Sequence, residues 1–107
     1  MPKYMIQASY TGEGAKGVMK EGGTKRRDTV AANVKAAGGT LEAFYFAFGE
    51  ADAFVIVDLP SNASAAALSM AVNASGVVNL KTHVLMTPEE IDQATKKSVD
   101  YRAPGKK

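Results

Sequence analysis

Residues 40–59 read TLEAFYFAFGEADAFVIVDL. The first nine of them are rich in aromatic side chains, and residues 53–59 form a second apolar run that contains one charged residue, Asp58. The four residues between the two runs, from Gly49 to Asp52, suit a tight connection. The stretch therefore predicts a β-hairpin, with strand two over residues 40–48 and strand three over residues 53–59.

The segments before the hairpin predict one strand and two helical pieces. Residues 3–10 alternate with a period of two, as a half-buried strand does. Apolar residues then recur at three- and four-residue steps over residues 11–37, with an interruption at Gly22-Gly23. Adjacent glycines inside a helix cost about 1 kcal/mol each relative to alanine, so we expect a break there. We expect Thr24 to cap the second piece and Gly38-Gly39 to end it.

The segments after the hairpin predict a helix, a strand and a short final helix. Residues 61–76 carry a narrow apolar stripe on an alanine-rich background, and Ser61 or Asn62 can cap this helix. Residues 77–86 alternate again and predict strand four. Thr87 followed by Pro-Glu-Glu combines a hydroxyl cap, a proline at the first helical position and a glutamate at the third. A last helix is therefore expected to run to about residue 97.

The order of these elements predicts the architecture. Strand, helix, strand, strand, helix, strand is the split βαβ pattern of the ferredoxin-like fold. Right-handed crossovers place strands one and three at the centre, where we expect them to run parallel, and strands four and two at the edges. The predicted fold is α+β: a ferredoxin-like βαββαβ unit with a four-stranded antiparallel sheet in the order 4-1-3-2, helices on one face and an extra short C-terminal helix. We expect residues 1–98 to form this domain and residues 99–107 to form a C-terminal tail.

Composition limits the class of protein. The 107 residues weigh 11.2 kDa and carry a net charge of +2. A chain of this length can bury one hydrophobic core but not two. The chain has no cysteine, so disulfides, thiolate nucleophiles and thiolate metal sites are excluded. No apolar run approaches the roughly 18 residues of a membrane-spanning helix. Polar Gln7 also comes before a signal-peptide core could form. We therefore expect a soluble cytoplasmic protein with no membrane partner.

Four stretches of the chain carry a family resemblance. They are PKYMIQASYT at residues 2–11, KEGGTKRR at 20–27, LEAFYFAFG at 41–49 and DLPSNAS at 58–64. Together they resemble the GYD domain proteins over nearly the whole chain. The family's Gly-Tyr-Asp signature falls on the hairpin turn, where the chain reads Gly-Glu-Ala-Asp and Ala51 stands in place of the tyrosine. The resemblance implies a ferredoxin-like, dimeric α/β-barrel-type domain of bacterial origin with no established activity.

Strand two carries large apolar side chains on both of its faces. Phe44, Phe46 and Phe48 are expected to point to one side and Tyr45 to the other. An antiparallel sheet with one face in water normally carries polar side chains on that face, so large apolar side chains on both faces indicate that the second face is covered. Burying one phenyl ring contributes about 2 to 3 kcal/mol, so a second copy of the sheet is a physical reason for the second apolar face. We therefore predict a homo-oligomer, a dimer or larger.

Polar strand residues gather on the sheet face opposite the helices. His83, the only histidine, shares that face with Lys81, and pairing of strand four with strand one adds Gln7. Asp58, at the end of strand three, has the phase to join them. We predict that Gln7, Asp58, Lys81 and His83 line whatever small-molecule site the protein has, in a cavity closed by the second subunit.

Two functions fit such a site. The first is a small oligomeric domain that binds a small molecule or serves assembly without turnover. The second is a cofactor-free enzyme of the dimeric α/β-barrel type, a monooxygenase or isomerase, that uses His83 as acid or base with Asp58 or Gln7 to orient it. Its main support is fold analogy, and fold does not fix function. We favour the first, and an enclosed His83 with a polar partner would favour the second.

Other patterns are explained without a ligand. Lys25-Arg26-Arg27 is flanked by acidic residues and has no aromatic stacking platform, so we expect a solvated face or salt bridges across a subunit boundary, and no nucleic-acid partner. Gly12, Gly14 and Gly17 form Gly-x-Gly-x-x-Gly after strand one. The chain passes next to an edge strand, and Glu13 would stand where a pyrophosphate must lie, so we expect no dinucleotide cofactor. With one histidine and no cysteine we expect no metal either.

Overall fold

A computed structural model describes residues 1–106 and confirms the predicted order of elements. The hairpin, the alternating strands and the interrupted helical segment all form where the periodicity of the sequence places them. The elements are β1 (Lys3–Tyr10), α1 (Gly12–Glu21), α2 (Gly23–Ala36), β2 (Thr40–Phe46), β3 (Ala53–Asp58), α3 (Asn62–Ala74), β4 (Val78–Leu85) and α4 (Pro88–Thr95).

The four strands form one sheet in the order β2-β3-β1-β4, which is the predicted order read from the other edge. Every neighbouring pair is antiparallel, so the expectation that the central strands β1 and β3 run parallel is wrong. The crossover through α1 and α2 returns β2 in the direction of β1, and the hairpin then reverses β3. The α+β, ferredoxin-like assignment itself is confirmed.

The core lies between α2, α3 and the inner face of the sheet, which is the face toward the helices. Its largest fully buried side chains are Tyr4, Val34, Val57 and Leu59. The inner face of β4 is covered less well: Leu80 is half buried, and Val84 is 58% exposed. Val84 therefore does not join the core, because the small side chains of α3 leave a shallow groove above this edge strand.

The helix ends follow local backbone preferences. Gly22 breaks the helical segment with a φ of +86°, a conformation that glycine adopts at little cost. Gly22 itself precedes the first residue of α2, so the prediction that Thr24 caps this helix is wrong. Ser61 caps α3, and Thr87 forms a reciprocal capping box with Glu90 at α4, as the sequence predicts.

The hairpin has a longer turn than expected. β2 ends at Phe46, and the turn is closed by the backbone N–H of Ala47, which donates to the carbonyl of Asp52 (2.8 Å). Phe44 and Phe46 lie on the inner side with their ring centroids 5.0 Å apart, while the outer face receives Tyr45. Phe48 lies beyond the strand and is fully exposed, so the expectation that it joins the two phenylalanines on strand two is wrong.

The C-terminal part extends away from the sheet. All residues of α4 are exposed, and the molecule measures 58 Å along its longest axis against 32 and 23 Å along the others. Residues 99–106 contain no helix or strand, and Lys107, the last residue of the predicted tail, lies outside the described residues. No helix within residues 1–106 has the length and apolar character needed to cross a membrane.

Candidate functional site

The strand register places the four predicted site residues on the outer face of the sheet, opposite the helices. Gln7 of β1 lies directly across from Lys81 of β4, and β1 also brings its first residue opposite Asp58 of β3. His83 follows Lys81 by two positions on β4. Because side chains alternate between the two faces of a strand, all four share one face.

Gln7 and Lys81 are the two site residues that the fold brings together. They are cross-strand neighbours, and both border a shallow pocket of about 130 Å³. Ser9, Asn79 and Glu50 complete its polar wall, and the Ser9 hydroxyl donates to the backbone carbonyl of Glu50 at 3.2 Å. The pocket therefore combines one cation, one carboxylate, two amides and one hydroxyl at the outer edge of the sheet.

His83 and Asp58 lie on this face but do not form a pair. His83 is exposed on the edge strand β4, and its cross-strand neighbour on β1 is Met5. Asp58 is on β3, and β1 separates the two strands, which puts their backbones about 10 Å apart. Within residues 1–106 no side-chain hydrogen bond links His83 to an acid, so none of these residues supplies a carboxylate that orients its ring.

Asp58 belongs instead to an ion-paired cluster with Lys3 and Glu42. The Lys3 ammonium donates to Asp58 at 3.0 Å and also to Glu42. Glu42 reaches this cluster because the register between β2 and β3 shifts between Leu41 and Ala43, as at a β-bulge. The hydrogen bond to Glu42, and then that to Asp58, raise the pKa of the Lys3 ammonium above its usual value. With two carboxylates and one ammonium, the cluster carries a net negative charge.

The centre of the outer face is apolar. Met5, Phe54 and Ile56 lie side by side on β1 and β3, and each keeps part of its surface exposed. Tyr45, opposite Phe54 on β2, is 72% exposed. No element within residues 1–106 covers this surface. The outer face thus has an apolar centre, with the negative cluster at one end and Lys81 on the β4 edge.

A second concave region lies on the inner side, where no sequence pattern predicts a site. A cavity of about 70 Å³ separates parts of α2 and α3 from the sheet, and Tyr10, Arg26 and Asn33 supply its polar lining. The signal in the sequence is the spacing of Arg26, Val30, Asn33 and Val34, which places them on one side of α2. Periodicity can assign them to one face, but it cannot show that the space in front of them is unfilled.

The patterns that the sequence explains without a ligand have structural roles. Arg26 lies 3.4 Å from a carboxylate oxygen of Glu21, and Arg27 lies 3.1 Å from one of Asp28, so acids accompany the basic run. The glycine motif falls within α1, where Gly14 packs against a backbone carbonyl. Within residues 1–106, no three His, Cys, Asp or Glu side chains are grouped in a way that could hold a metal ion.

The hairpin turn is tied to the end of β1 through Asp52. Its carboxylate accepts the backbone N–H of Tyr10 at 2.9 Å, and its own N–H donates to the carbonyl of Ala8 at 2.8 Å. Ala51, in front of it, is buried. The Gly-Glu-Ala-Asp stretch therefore locks the turn of β2 and β3 onto the central strand.

The comparison with known families identifies the chain. The GYD domain matches residues 4–95, which is most of the 107 residues. The chain therefore belongs to the GYD domain family, as the four resembling stretches predict. No curated protein and no solved structure was found to match it.

Proposed function

We propose that this GYD domain is a homodimeric binding module, in which two copies pack outer face to outer face and enclose a small-molecule site. The observation that carries the proposal is the apolar centre of the outer face, formed by Met5, Phe54, Ile56 and Tyr45. Contiguous apolar surface on a sheet face is stabilised by burial, and a second sheet about 10 Å away is the usual cover. A second copy of the chain offers the same surface and needs no other partner.

The charges on the outer face favour one arrangement of the two copies. A twofold axis parallel to the strands places β4 of one copy over β2 of the other. Lys81 then faces β2 of the other copy. On that strand Glu42 lies about 7 Å from the point opposite Lys81, within reach of a lysine side chain. An axis across the strands places β4 over β4, which sets the two Lys81 side chains against each other. Opposite charges across an interface select register, so we propose the first arrangement.

The small-molecule site follows from the same packing. Gln7, Asp58, Lys81 and His83 become partly enclosed when the second sheet covers them, and covered polar groups need hydrogen-bond partners. Lys81, Gln7 and Asn79 bring donor groups to their shared pocket, and the Lys81 ammonium offsets the charge of Glu50 in the same wall; the amide and ammonium donors suit the carboxylate of a small acid. The role needs no turnover, because His83 has Met5 rather than a carboxylate as its cross-strand neighbour. We place the protein in the cytoplasm because a chain without cysteine suits a reducing compartment.

Light scattering at micromolar concentration tests the dimer. We expect twice the 11.2 kDa chain mass for the wild type, and a monomer for Ile56→Asp, which puts a charge at the apolar centre. Ile91→Asp is the matched control, because Ile91 is an exposed isoleucine on α4, outside the proposed interface. A wild-type mass of one chain would contradict the proposal.

A charge exchange tests the arrangement. Lys81→Glu and Glu42→Lys should each raise the dissociation constant of the dimer, and the double variant should recover most of the loss. If both single variants dimerise weakly and the double variant dimerises no better than they do, the β4-over-β2 packing is excluded. The small-molecule site is tested at a protein concentration at which light scattering shows both the wild type and Lys81→Gln to be dimers. We expect succinate to shift amide NMR resonances around Gln7 in the wild type but not in Lys81→Gln. Equal shifts in both proteins would contradict the site.

A further inference from the structure

The groove between α3 and the inner face of β4 exposes large apolar side chains. It has a volume of about 340 Å³ and is bordered by Leu80 and Val84 of β4 on one side and by Ala66 and Met70 of α3 on the other. Val84 is 58% exposed and Met70 is 70% exposed. Large apolar side chains that share one exposed groove indicate a surface on which another apolar surface packs.

The polar groups of this α3–β4 groove are already paired with one another. The Tyr4 hydroxyl donates to Asn62 at 2.6 Å, and the hydroxyls of Ser69 and Thr82 lie 2.7 Å apart. Asn73 accepts a backbone N–H of β4 at 2.7 Å. The residues of the described chain that line the groove are all uncharged. An apolar occupant leaves these hydrogen bonds intact, whereas a polar ligand has to compete with them.

The last helix, α4, carries an apolar stripe and lies outside the packed body. Ile91 and Ala94 share one side of this helix with Thr95, and Glu89 and Gln93 lie on the opposite side. All eight residues of α4 are exposed. Because an isolated helix shorter than about 12 to 15 residues is marginal in water, α4 needs an apolar surface to pack against.

The connection between β4 and α4 places this helix next to the groove. Only Met86 and Thr87 separate the two elements, so α4 starts at the end of the strand that borders the groove. Its eight residues span about 12 Å, and the strand from Leu80 to Val84 spans about 13 Å. The capping box of Thr87 and Glu90 keeps the start of α4 formed, so a backbone rotation at Met86 can lay the whole helix along the groove.

The short connection also decides between the same chain and a second copy. A segment held by a short linker has an effective concentration in the millimolar range for surfaces of its own chain. A second copy brings its own α4 only at the concentration of the protein. At micromolar protein concentration, the helix of the same chain is therefore the favoured occupant of the groove.

We infer that α4 is a strap that closes over the α3–β4 groove of its own chain, with Ile91 packing between Ala66 and Val84. The structure describes the open position of this strap. Closing moves the helix to the inner side of the sheet, so the outer face and its proposed dimer contact stay free. A partner that uses the groove has to displace α4.

A disulfide test is straightforward because the chain has no cysteine. In the double variant Ile91→Cys with Ala66→Cys, the closed strap brings the two thiols together, so we expect mild oxidation to form a cross-link within one chain. Denaturing, non-reducing gel electrophoresis should then show a single chain that migrates differently from its reduced form. Gln93→Cys with Ala66→Cys is the matched control and should cross-link about tenfold more slowly, because Gln93 lies on the opposite side of α4.

Two results of the disulfide test would overturn the inference. A cross-link between two chains in the Ile91 pair would show that α4 occupies the groove of a second copy. Equal rates for the Ile91 and Gln93 pairs, or no cross-link in either, would show that α4 has no preferred position on the groove.

Amide hydrogen exchange tests the strap without a cross-link. The amides of residues 92–95 should exchange about tenfold more slowly in the wild type than in Met70→Glu, which places a charge in the groove. Met19→Glu is the matched control and should keep wild-type rates, because Met19 is an exposed methionine of α1. Both variants should keep the wild-type mass in light scattering, since neither residue lies on the outer face. Equal exchange in Met70→Glu and the wild type would refute the strap, whether or not the protein is a dimer.

Discussion

Adding one methyl group at Gly14 should disrupt the contact between α1 and the sheet. Gly14 lies in the first turn of α1, and a Cβ atom there would stand 2.1 Å from the carbonyl oxygen of Val77. That oxygen cannot move freely, because it accepts the backbone N–H of Thr11 at 3.0 Å. Relief of the clash needs a displacement of about 1 Å or more between the helix and the start of β4. Gly17, in the same helix, has no atom within 4 Å of its Cβ position and provides the matched control.

The two alanine variants should change stability in opposite directions. Gly14→Ala should lose about 2 to 3 kcal/mol from overpacking and about 1 kcal/mol from the strained hydrogen bond. Its gain in helix propensity is about 1 kcal/mol, which leaves a net loss of about 2 kcal/mol. Gly17→Ala keeps only the propensity gain of about 1 kcal/mol. The difference of about 3 kcal/mol corresponds to more than about 10 °C in Tm for a domain of this size.

Circular dichroism at the helical band, followed during urea and thermal unfolding, measures both variants. All samples should have one protein concentration, because association would make the apparent stability depend on it. If Gly14→Ala is stabilised as much as Gly17→Ala, the Cβ is accommodated. The close approach of Gly14 to Val77 would then cost no measurable stability, and the predicted clash would be refuted.

Three further changes test the packing and the local electrostatics. Tyr4→Phe removes a buried hydroxyl that bonds to Asn62 at 2.6 Å and should cost about 1 kcal/mol in urea unfolding, and a loss near zero would contradict this bond's contribution. Ser61→Ala removes the cap of α3 and should lower the free energy of global unfolding by about 1 kcal/mol, because α3 packs on the core. Thr87→Ala removes the cap of α4 and should melt only this exposed helix. Equal losses of global stability in the two variants would contradict this and show that α4 is coupled to the core. The pKa of Tyr10 is raised in the folded state, so its protonated phenol contributes stability below about pH 10 that is lost as pH rises through the folded-state pKa. Tyr10→Phe should therefore show a weaker fall in the free energy of unfolding between about pH 8 and about pH 11. Parallel pH curves for the wild type and the variant would contradict this.

The sequence predicts the architecture because its signals are local and consistent. The alternation of residues 3–10, the double run around the hairpin turn and the start of α4 at Thr87 each define an element without knowledge of the others. Chain order and crossover handedness then determine the strand order. The direction of β3 relative to β1 also follows from the sequence, because the hairpin makes β3 run opposite to β2. The expectation that β1 and β3 run parallel is wrong because it uses the crossovers alone and omits this reversal.

The details of the site depend on features that periodicity does not carry. A register shift near Glu42 brings this residue to Lys3, and that ion pair engages Asp58, which the sequence analysis groups with His83. A strict period of two cannot reveal such a shift. The inner cavity depends on the distance between α2, α3 and the sheet, a tertiary quantity, so the α2 residues around it read simply as a mixed helix face.

The inner cavity and the outer face of the sheet depend on different residues of the fold. The inner cavity is bordered by Leu68 and Val72 of α3 and by inner-face residues of the sheet. The outer face is built from the opposite residues of the same strands, since side chains alternate along β1 and β3. Substitutions at Leu68 or Val72 should therefore change the cavity and leave dimerisation intact, while substitutions at Phe54 or Ile56 should change dimerisation. If every one of these substitutions changed both the cavity and dimerisation, the two would have to be coupled through β3. The residue to alter next would then be Val55, which is buried and lies between Phe54 and Ile56 on that strand.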